Sequence, residues 1–555
     1  MIRQDARPIE YGMTRRPDYC STRTSGDAGV VIPVAVAPLF RKDSCSGRIA
    51  LDLQLAEMPK PLENAVIGRG QVWFVPRPSL PHFSGLDEYT HAYHGKSITA
   101  LNSTTRAAPT LFEVTPSGSV NADLAGEIYQ ALGIHGVAGQ EMNHDYIDAY
   151  NHIQNFRLAA HSSKMTKYDY WAESAVNART LKQAFWPRNR MSEIVPDYEQ
   201  ALVVGSLDLD VTAGQIPVSG FGIRNESAST SYSNVATTAD AGHVTFTGWV
   251  SDGPATPVGA GEAHTVVKEG AAGVPDINAE MTGVTIPTSL MDIDKARTTQ
   301  AFAKRAAAYA GSNFSGFNND DVVMSELLQG FTVPNELMHR PWLLDSKTVV
   351  FGMTERHATD AANLDDSVST GRAQMTLSVN VPTAEYGGII MATVEVMPER
   401  LYERQADEYL YVTDVDDLPN ALRDIQRTEP VDTVLNRRLD TAHSTPAGTF
   451  GYEPMNSKWK REFTRLGGEF IQSTPGTPNT SGRTAIWQAD IVDPVFTSDH
   501  WLCPSPFPQD VFSVPANHIV NIGVQQQLTI TGITQFGDVL NEDNSEFAMV
   551  EAEQV

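Results

Sequence analysis

The sequence has few cysteines and no long hydrophobic run. Its three cysteines, Cys20, Cys45 and Cys503, are widely spaced, and none belongs to a C-x-x-C pair. This pattern indicates neither a disulfide framework nor a zinc site, and it is typical of chains assembled in a reducing compartment. Because no run of eighteen apolar residues occurs, we expect no insertion into a membrane.

Charge is also scarce, and most of it is negative. Only 19% of the 555 residues are charged, and 67 acids against 41 bases give a net charge of −26. The low charge predicts a surface that is partly covered by self-association, and the negative sign argues against a chain that wraps nucleic acid by itself. Residues 1–50 nevertheless carry eight bases and five acids, whereas 541–555 carry five acids and no base. We predict a basic N-terminal arm at 1–29 and an acidic tail at 541–555, and two merely solvated ends are the alternative.

Complete catalytic motifs are absent from the sequence. Gly95-Lys96-Ser97 is similar to the end of a phosphate-binding loop, but Thr90 occupies the position of its first glycine. No G-x-S-x-G, H-E-x-x-H or G-x-G-x-x-G occurs. We therefore predict that the chain is not an enzyme, with no catalytic residues and no cofactor.

One group of side chains has the spacing of a metal site. His144, Asp148 and His152 are separated by four residues each and would lie along one side of a helix. We favour a polar stripe, or contacts to neighbouring subunits, over a metal. The three residues remain weak metal candidates.

Patterns typical of β-strands occur near both ends of the chain. Ile49, Leu51, Leu53 and Leu55 alternate with small or polar residues, and Val30–Leu39 is an apolar run whose two prolines indicate an edge or bulged strand. Further strands are predicted at 70–76, 347–351, 373–381, 387–397, 484–492 and 517–531. Helices are predicted between the strands, at 121–132, 143–160, 291–310 and 321–329. A mainly β fold with a sheet built from distant segments is the arrangement of a jelly roll.

The stretch 205–290 has a different composition. It is rich in Gly, Ala, Ser, Thr and Val, and its only bases are Arg224 and Lys268. We predict an insertion that forms either a surface loop or a small β-subdomain. A disordered linker is the alternative.

Four blocks resemble the major capsid protein of the Microviridae, the small tailless icosahedral phages with single-stranded DNA. Gln71–Pro76 is similar to that family's aromatic strand ending in Phe-Val-Pro, and Asp148–Arg157 resembles its helix with Ala-Tyr, Ile, Asn and Arg at fixed offsets. Glu326–Val333, followed by Arg340-Pro-Trp342, and Glu385–Ala392, in a strand ending at Met397-Pro398, resemble two later blocks. The four blocks occur in the family's order.

The resemblance implies a single eight-stranded jelly roll of the viral capsid type, with long inter-strand loops that contain several α-helices. Residues 30–204 and 291–540 would form this shell domain. The insertion at 205–290 would then be an exterior loop or protrusion, since a long loop with so few bases is poorly suited to face DNA. About sixty identical subunits would form a T=1 icosahedral shell around circular single-stranded DNA. The implied partners are a minor spike or pilot protein, a scaffolding protein, a small basic DNA-binding protein and a host surface receptor. Assembly would take place in the bacterial cytoplasm, and the mature protein would reside in the virion.

Two questions remain open from the sequence. Arg3, Arg7, Arg15 and Arg16 of the arm either face the packaged DNA or join neighbouring subunits. A β-rich carbohydrate-binding or host-adhesion protein of a phage is the alternative function.

Overall fold

Two five-stranded antiparallel sheets form the centre of the protein in a computed structural model. The structure describes residues 12–83, 86–95, 98–99, 105–106, 109–115, 126–137, 139–162, 165–172, 176–197, 215–217, 223–224, 231–232, 278–280, 340–357, 367–427, 431–462, 465–470, 485–489, 491–513 and 518–537. With strands numbered in chain order, the first sheet contains, in spatial order, β1 (Thr14–Gly26), β20 (Val520–Gly532), β3 (Asp43–Leu55), β16 (Ser367–Ala384) and β15 (Gly352–His357). The second contains β14 (Trp342–Val350), β4 (Val66–Pro76), β17 (Gly388–Pro398), β2 (Val30–Leu39) and β9 (Lys182–Gln183).

The remaining described elements are short or lie in the connections between these strands. The helices are α1 (Leu86–His94), α2 (Glu127–Leu132), α3 (Asp145–His161) and α4 (Ala421–Gln426). Two-stranded ladders pair β5 (Ile98–Thr99) with β6 (Thr105–Arg106), β7 (Val114–Thr115) with β8 (Met142–Asn143), and β18 (Val431–Leu435) with β19 (Thr449–Pro454). Single 3-10 turns occur at Arg77–Ser79, Val176–Arg179, Arg190–Glu193, Glu408–Tyr411, Val415–Asp417, Asn436–Arg438, Ser457–Trp459, Gly468–Phe470 and Ser498–Trp501. The mainly β class predicted from the sequence is confirmed.

The chain divides into two compact units, Met1–Glu199 with Arg305–Val555, and Gln200–Lys304. Both large sheets belong to the first unit. Within the second, β10 (Gln215–Pro217) pairs with β13 (Asn278–Glu280), and β11 (Ile223–Arg224) pairs with β12 (Ser231–Tyr232). The insertion predicted at 205–290 falls within this second unit.

The core of the first unit forms where the apolar faces of the two sheets meet. The alternating leucines of β3 are at most 2% exposed, and every residue of β17 is buried. A β-carbon at Gly70 of β4 would lie 2.5 Å from the Met375 sulfur of the opposite sheet and 3.1 Å from a Leu377 methyl group. Glycine at this position therefore lets the two sheets approach closely.

The proline-containing strand β2 lies next to the edge of its sheet, as its sequence predicts. It pairs along most of its length with β17, but only Val30 and Val31 pair with β9 on the other side. The register with β17 shifts between Ala392 and Thr393, close to Pro33. A bulge there accommodates a residue that has no backbone N–H to donate.

The N-terminal arm predicted at 1–29 is wrong for residues 14–26, which form β1. Each residue of β1 is aligned with a residue of β20, from Thr14 with Gly532 to Gly26 with Val520. The inward side chains of β1 include Arg16 and Asp18, which bond to Asp43 and Gln526 respectively, so the usual apolar alternation is missing. Arg3 and Arg7 lie outside the described residues.

The strand predicted at 484–492 is also wrong over its described part. Trp487 is buried but belongs to no strand: its N–H donates to Asn64 Oδ1 (2.9 Å), and its carbonyl accepts from Asn64 Nδ2 (2.7 Å). The side-chain amide of Asn64 thus makes the backbone hydrogen bonds that a neighbouring strand would otherwise make. The predicted helices at 291–310 and 321–329 and the acidic tail at 541–555 lie outside the described residues.

Candidate functional site

The outward face of the first sheet carries a concentration of positive charge. Along its four long strands, alternation turns every second side chain away from the core. The charged side chains on this outward face are Arg15, Arg23, Arg48, Arg372 and Asp52. Four cations against one anion give this polar sheet face a net positive charge, in contrast to the net charge of −26 for the chain.

An exposed aromatic ring lies beside one of these arginines. Tyr19, Gln527 and Arg48 are aligned across three adjacent strands, and Arg48 Nε donates to Gln527 Oε1 at 3.0 Å. The Tyr19 side chain is 71% exposed. These residues line an open depression of about 820 Å³ in the polar sheet face. An aromatic ring, a guanidinium group and side-chain amides together are suited to stack on bases and contact the backbone of a single strand.

The only aspartate of this set neutralises one of the four arginines. Arg372 donates to both carboxylate oxygens of Asp52, at 2.8 and 2.7 Å, and Gln374 adds a third hydrogen bond. The hydrogen bonds from Arg372 lower the pKa of Asp52 most; burial opposes this shift, and the Gln374 hydrogen bond and the charges of Arg372 and Arg23 add to it. No acid of the described residues forms an ion pair with Arg15, Arg23 or Arg48, so these three are available for an anionic partner.

The structure separates the two predicted arm arginines that it describes. Arg15 is exposed on the polar sheet face, whereas Arg16 points to the other side of β1. Arg16 donates to the buried carboxylate of Asp43 (2.6 Å), to Thr534 and to the Pro38 carbonyl, and its guanidinium lies over the Phe40 ring. The Arg16 guanidinium is therefore occupied by contacts within the subunit.

A second surface feature is a cluster of exposed apolar side chains at residues 409–425, here called the apolar segment. Its members are Tyr409, Leu410, Tyr411, Val415, Leu418, Leu422 and Ile425. Leu410, Val415, Leu422 and Ile425 are each at least 75% exposed. Leu422 and Ile425 are three residues apart in α4 and share one helix face. Such a concentration of exposed apolar side chains is unusual for a protein that acts alone.

The predicted metal candidates on α3 are only partly brought together. His144 Nδ1 and Asp148 Oδ2 are 2.7 Å apart and buried. His152 instead bonds through Nδ1 to the Tyr170 hydroxyl at 3.0 Å, two turns further along the helix. Glu113, and not His152, is the third residue of the group: its carboxylate, His144 and Asp148 offer ligand atoms that all lie within 4.8 Å of one another. The sequence did not indicate Glu113, because it lies outside the helix, directly before β7.

Two of the three cysteines are packing residues. Cys45 and Cys503 are buried, and burial raises the pKa of the Cys45 thiol to about 12 and that of Cys503 further. Both remain protonated at neutral pH, and a protonated buried thiol is a poor nucleophile. Among the described residues, no helix is long and apolar enough to cross a bilayer.

No protein-family model matches the sequence, and no curated protein matches it.

Proposed function

We propose that the chain is the shell-forming subunit of a small icosahedral phage, a major capsid protein of the Microviridae type that encloses circular single-stranded DNA. The observation that carries the proposal is the apolar segment, whose exposed side chains call for a partner surface. In a shell, that partner is a second copy of the chain. The scarcity of charge in the sequence supports the same conclusion, since extensive subunit contacts cover much of the surface.

The strand order supports a jelly roll. In the part of the chain that the structure describes, eight strands have nine or more residues; numbered along the chain, they follow the order 1-8-3-6 in one sheet and 2-7-4-5 in the other. Strands from the two ends of the chain thus lie side by side, as two interlocked Greek keys require. β15 and β9 extend the two sheets at one edge each. The helices lie in the long connections between strands, as expected for this fold.

The polar sheet face is the proposed DNA side of the subunit. Arg15, Arg23 and Arg48 supply charge for phosphates, and Tyr19 supplies a ring for base stacking. Three cations for each subunit neutralise little of a packaged genome, and the chain as a whole is acidic. A small basic DNA-binding protein is therefore part of the proposal, together with a scaffolding protein and a minor spike or pilot protein. The insertion at 205–290 is proposed as the exterior protrusion that meets the host receptor.

The proposal is tested by placing charge on the apolar segment. Leu422→Glu with Ile425→Glu should leave folding of the subunit intact, since both side chains are 75% or more exposed. The same change should abolish particle formation, because assembly would bury two unpaired carboxylates. The matched control, Leu422→Met with Ile425→Met, keeps the surface apolar and should assemble.

The measurement is particle yield after complementation of an infected host, followed by sedimentation, with thermal unfolding of the purified subunit in parallel. Loss of particles from the Glu variant alone, with an unchanged unfolding temperature, supports the proposal. A normal particle yield from the Glu variant contradicts it.

A further inference from the structure

We propose that Glu113 and His144 bind a divalent transition-metal ion such as Zn²⁺, with Asp148 as the residue that orients the histidine. This site is independent of the proposed shell function, because all three residues belong to one chain. Imidazole and carboxylate ligands together are typical of zinc and its neighbours, whereas Mg²⁺ and Ca²⁺ prefer oxygen ligands throughout.

Backbone pairing brings the two proposed ligands together. β7 and β8 form an antiparallel ladder in which Val114 is aligned with Asn143. Glu113 directly precedes β7 and His144 directly follows β8, and the His144 N–H donates to the Glu113 carbonyl at 3.4 Å. The two side chains are thus neighbours although 31 positions separate them in the sequence (144 − 113).

The imidazole of His144 is held in one orientation by two contacts, to Asp148 and to the Trp171 ring, and Trp171 also holds Asp148 in place. Its Nδ1 lies 2.7 Å from Asp148 Oδ2, one helical turn further along α3. The other carboxylate oxygen of Asp148 accepts a hydrogen bond from the Trp171 N–H at 2.9 Å. The Trp171 ring stacks on the imidazole, with centroids 4.2 Å apart and planes inclined by 17°. A carboxylate that accepts from Nδ1 fixes the tautomer in which Nε2 carries the free lone pair, the usual arrangement of a metal-bound histidine.

The second ring nitrogen of His144 is the one that points to a ligand. Nε2 is buried and has no hydrogen-bond partner among the described residues, although an unsatisfied buried polar atom is costly. The nearest carboxylate oxygen is Glu113 Oε2 at 3.7 Å, beyond hydrogen-bond distance. Two ligand atoms that are each about 2.1 Å from a tetrahedral metal lie roughly 3.4 Å apart, so one ion between them needs only a small adjustment. Glu113 is 42% exposed, which leaves room for water ligands.

A second imidazole lies in the same region. Burial lowers the pKa of His82, and the nearby carboxylate of Glu113 opposes that shift. The buried Nδ1 of His82 also lacks a hydrogen-bond partner among the described residues. His82 is therefore the first residue to test as a third protein ligand.

The test is titration of the metal-free full-length chain with Zn²⁺ by calorimetry, repeated with Co²⁺ to record its visible absorption. We expect one ion for each chain. Glu113→Gln is the main variant, because this half-exposed side chain is dispensable for packing, and it should weaken binding at least tenfold. Asp148→Asn should weaken binding by roughly 10–100-fold, as expected when the group that orients a metal-bound histidine is changed.

His152→Gln is the matched control, since it changes a histidine of the same helix outside the cluster, and it should bind Zn²⁺ as the wild type does. Circular dichroism of each variant separates loss of a ligand from loss of the fold. Two results would overturn the proposal: no saturable binding of one ion, or equal affinities of folded Glu113→Gln and the wild type.

Discussion

Replacing the three arginines of the polar sheet face that have no acidic partner among the described residues is the most direct test of the proposed DNA side. The variant is Arg15→Gln, Arg23→Gln and Arg48→Gln, and it leaves Arg372 in place because Asp52 already neutralises that charge. For single strands, each phosphate neutralised contributes about −0.7 to the slope of log affinity against log salt concentration. The three substitutions should therefore make the slope less steep by about 2. Between 50 and 200 mM salt, wild-type affinity should fall roughly 20-fold more than that of the variant.

The assay is fluorescence titration of a labelled oligothymidine with the purified subunit at several salt concentrations. The control is Arg188→Gln with Arg461→Gln and Arg465→Gln, three exposed arginines that are each paired with an acid away from the polar sheet face. Both triple variants have a net charge of −29 (−26 − 3), so a general charge effect acts equally on them. An equal change of slope in both variants, or no change in the sheet variant, would refute the assignment of this face to DNA.

Two further predictions concern stability of the subunit, measured by urea unfolding. Glu395 is buried, with Arg69 Nε at 2.7 Å and Arg157 also in contact; burial opposes its ionisation, but the two arginines outweigh this and hold its pKa below the usual value. Glu395→Ala should destabilise the fold by roughly 3–5 kcal/mol, because two partly buried guanidinium groups lose their anion, whereas Glu193→Ala at an exposed pair should cost less than about 1 kcal/mol. A cost for Glu395→Ala no larger than that of the surface control would contradict this. Burial lowers the pKa of His500 to about 4, so the unfolded chain binds the extra proton between about pH 6.5 and 4. The free energy of unfolding should therefore decrease as the pH is lowered from about 6.5 to about 4. At pH 4, proton uptake by His500 in the unfolded chain should have lowered it by about 3 kcal/mol. His500→Gln should remove that part of the pH dependence, and parallel curves for variant and wild type would show that the assignment is wrong.

The sequence predicts the parts of the fold in which apolar side chains follow a regular period. β3 alternates in Ile49, Leu51, Leu53 and Leu55, and β17 is mostly apolar apart from Thr393 and Glu395. The sequence therefore predicts β17 to within one residue at each end and locates the C-terminal end of β3, whose observed start at Asp43 lies earlier than its apolar alternation. β1 was missed because its inward positions carry Arg16 and Asp18, whose partners lie on other strands. Periodicity cannot identify a strand whose inner face is stabilised by ion pairs and hydrogen bonds.

The proposed metal site and the polar sheet face both depend on contacts between distant segments, which the spacing of residues in the sequence does not predict. The helical stripe indicated His144 and Asp148 correctly as neighbours, but it added His152 in place of Glu113. Glu113 joins them only through the β7–β8 ladder. Similarly, Arg15 was predicted in an N-terminal arm that either faces DNA or joins neighbouring subunits. Arg23, Arg48 and Tyr19 share a surface with it only through the pairing of β1, β20 and β3.

The central claim is that the chain forms a closed shell, and sedimentation of the native protein from a phage lysate tests it most directly. Negative-stain imaging of the fastest fraction, with nuclease treatment before DNA extraction, identifies the particle. We predict nuclease-resistant, DNA-containing particles with about sixty copies of the chain. A protein that sediments only as a monomer or trimer, while intact particles lack it, would contradict the shell function, and glycan binding would become the next activity to measure.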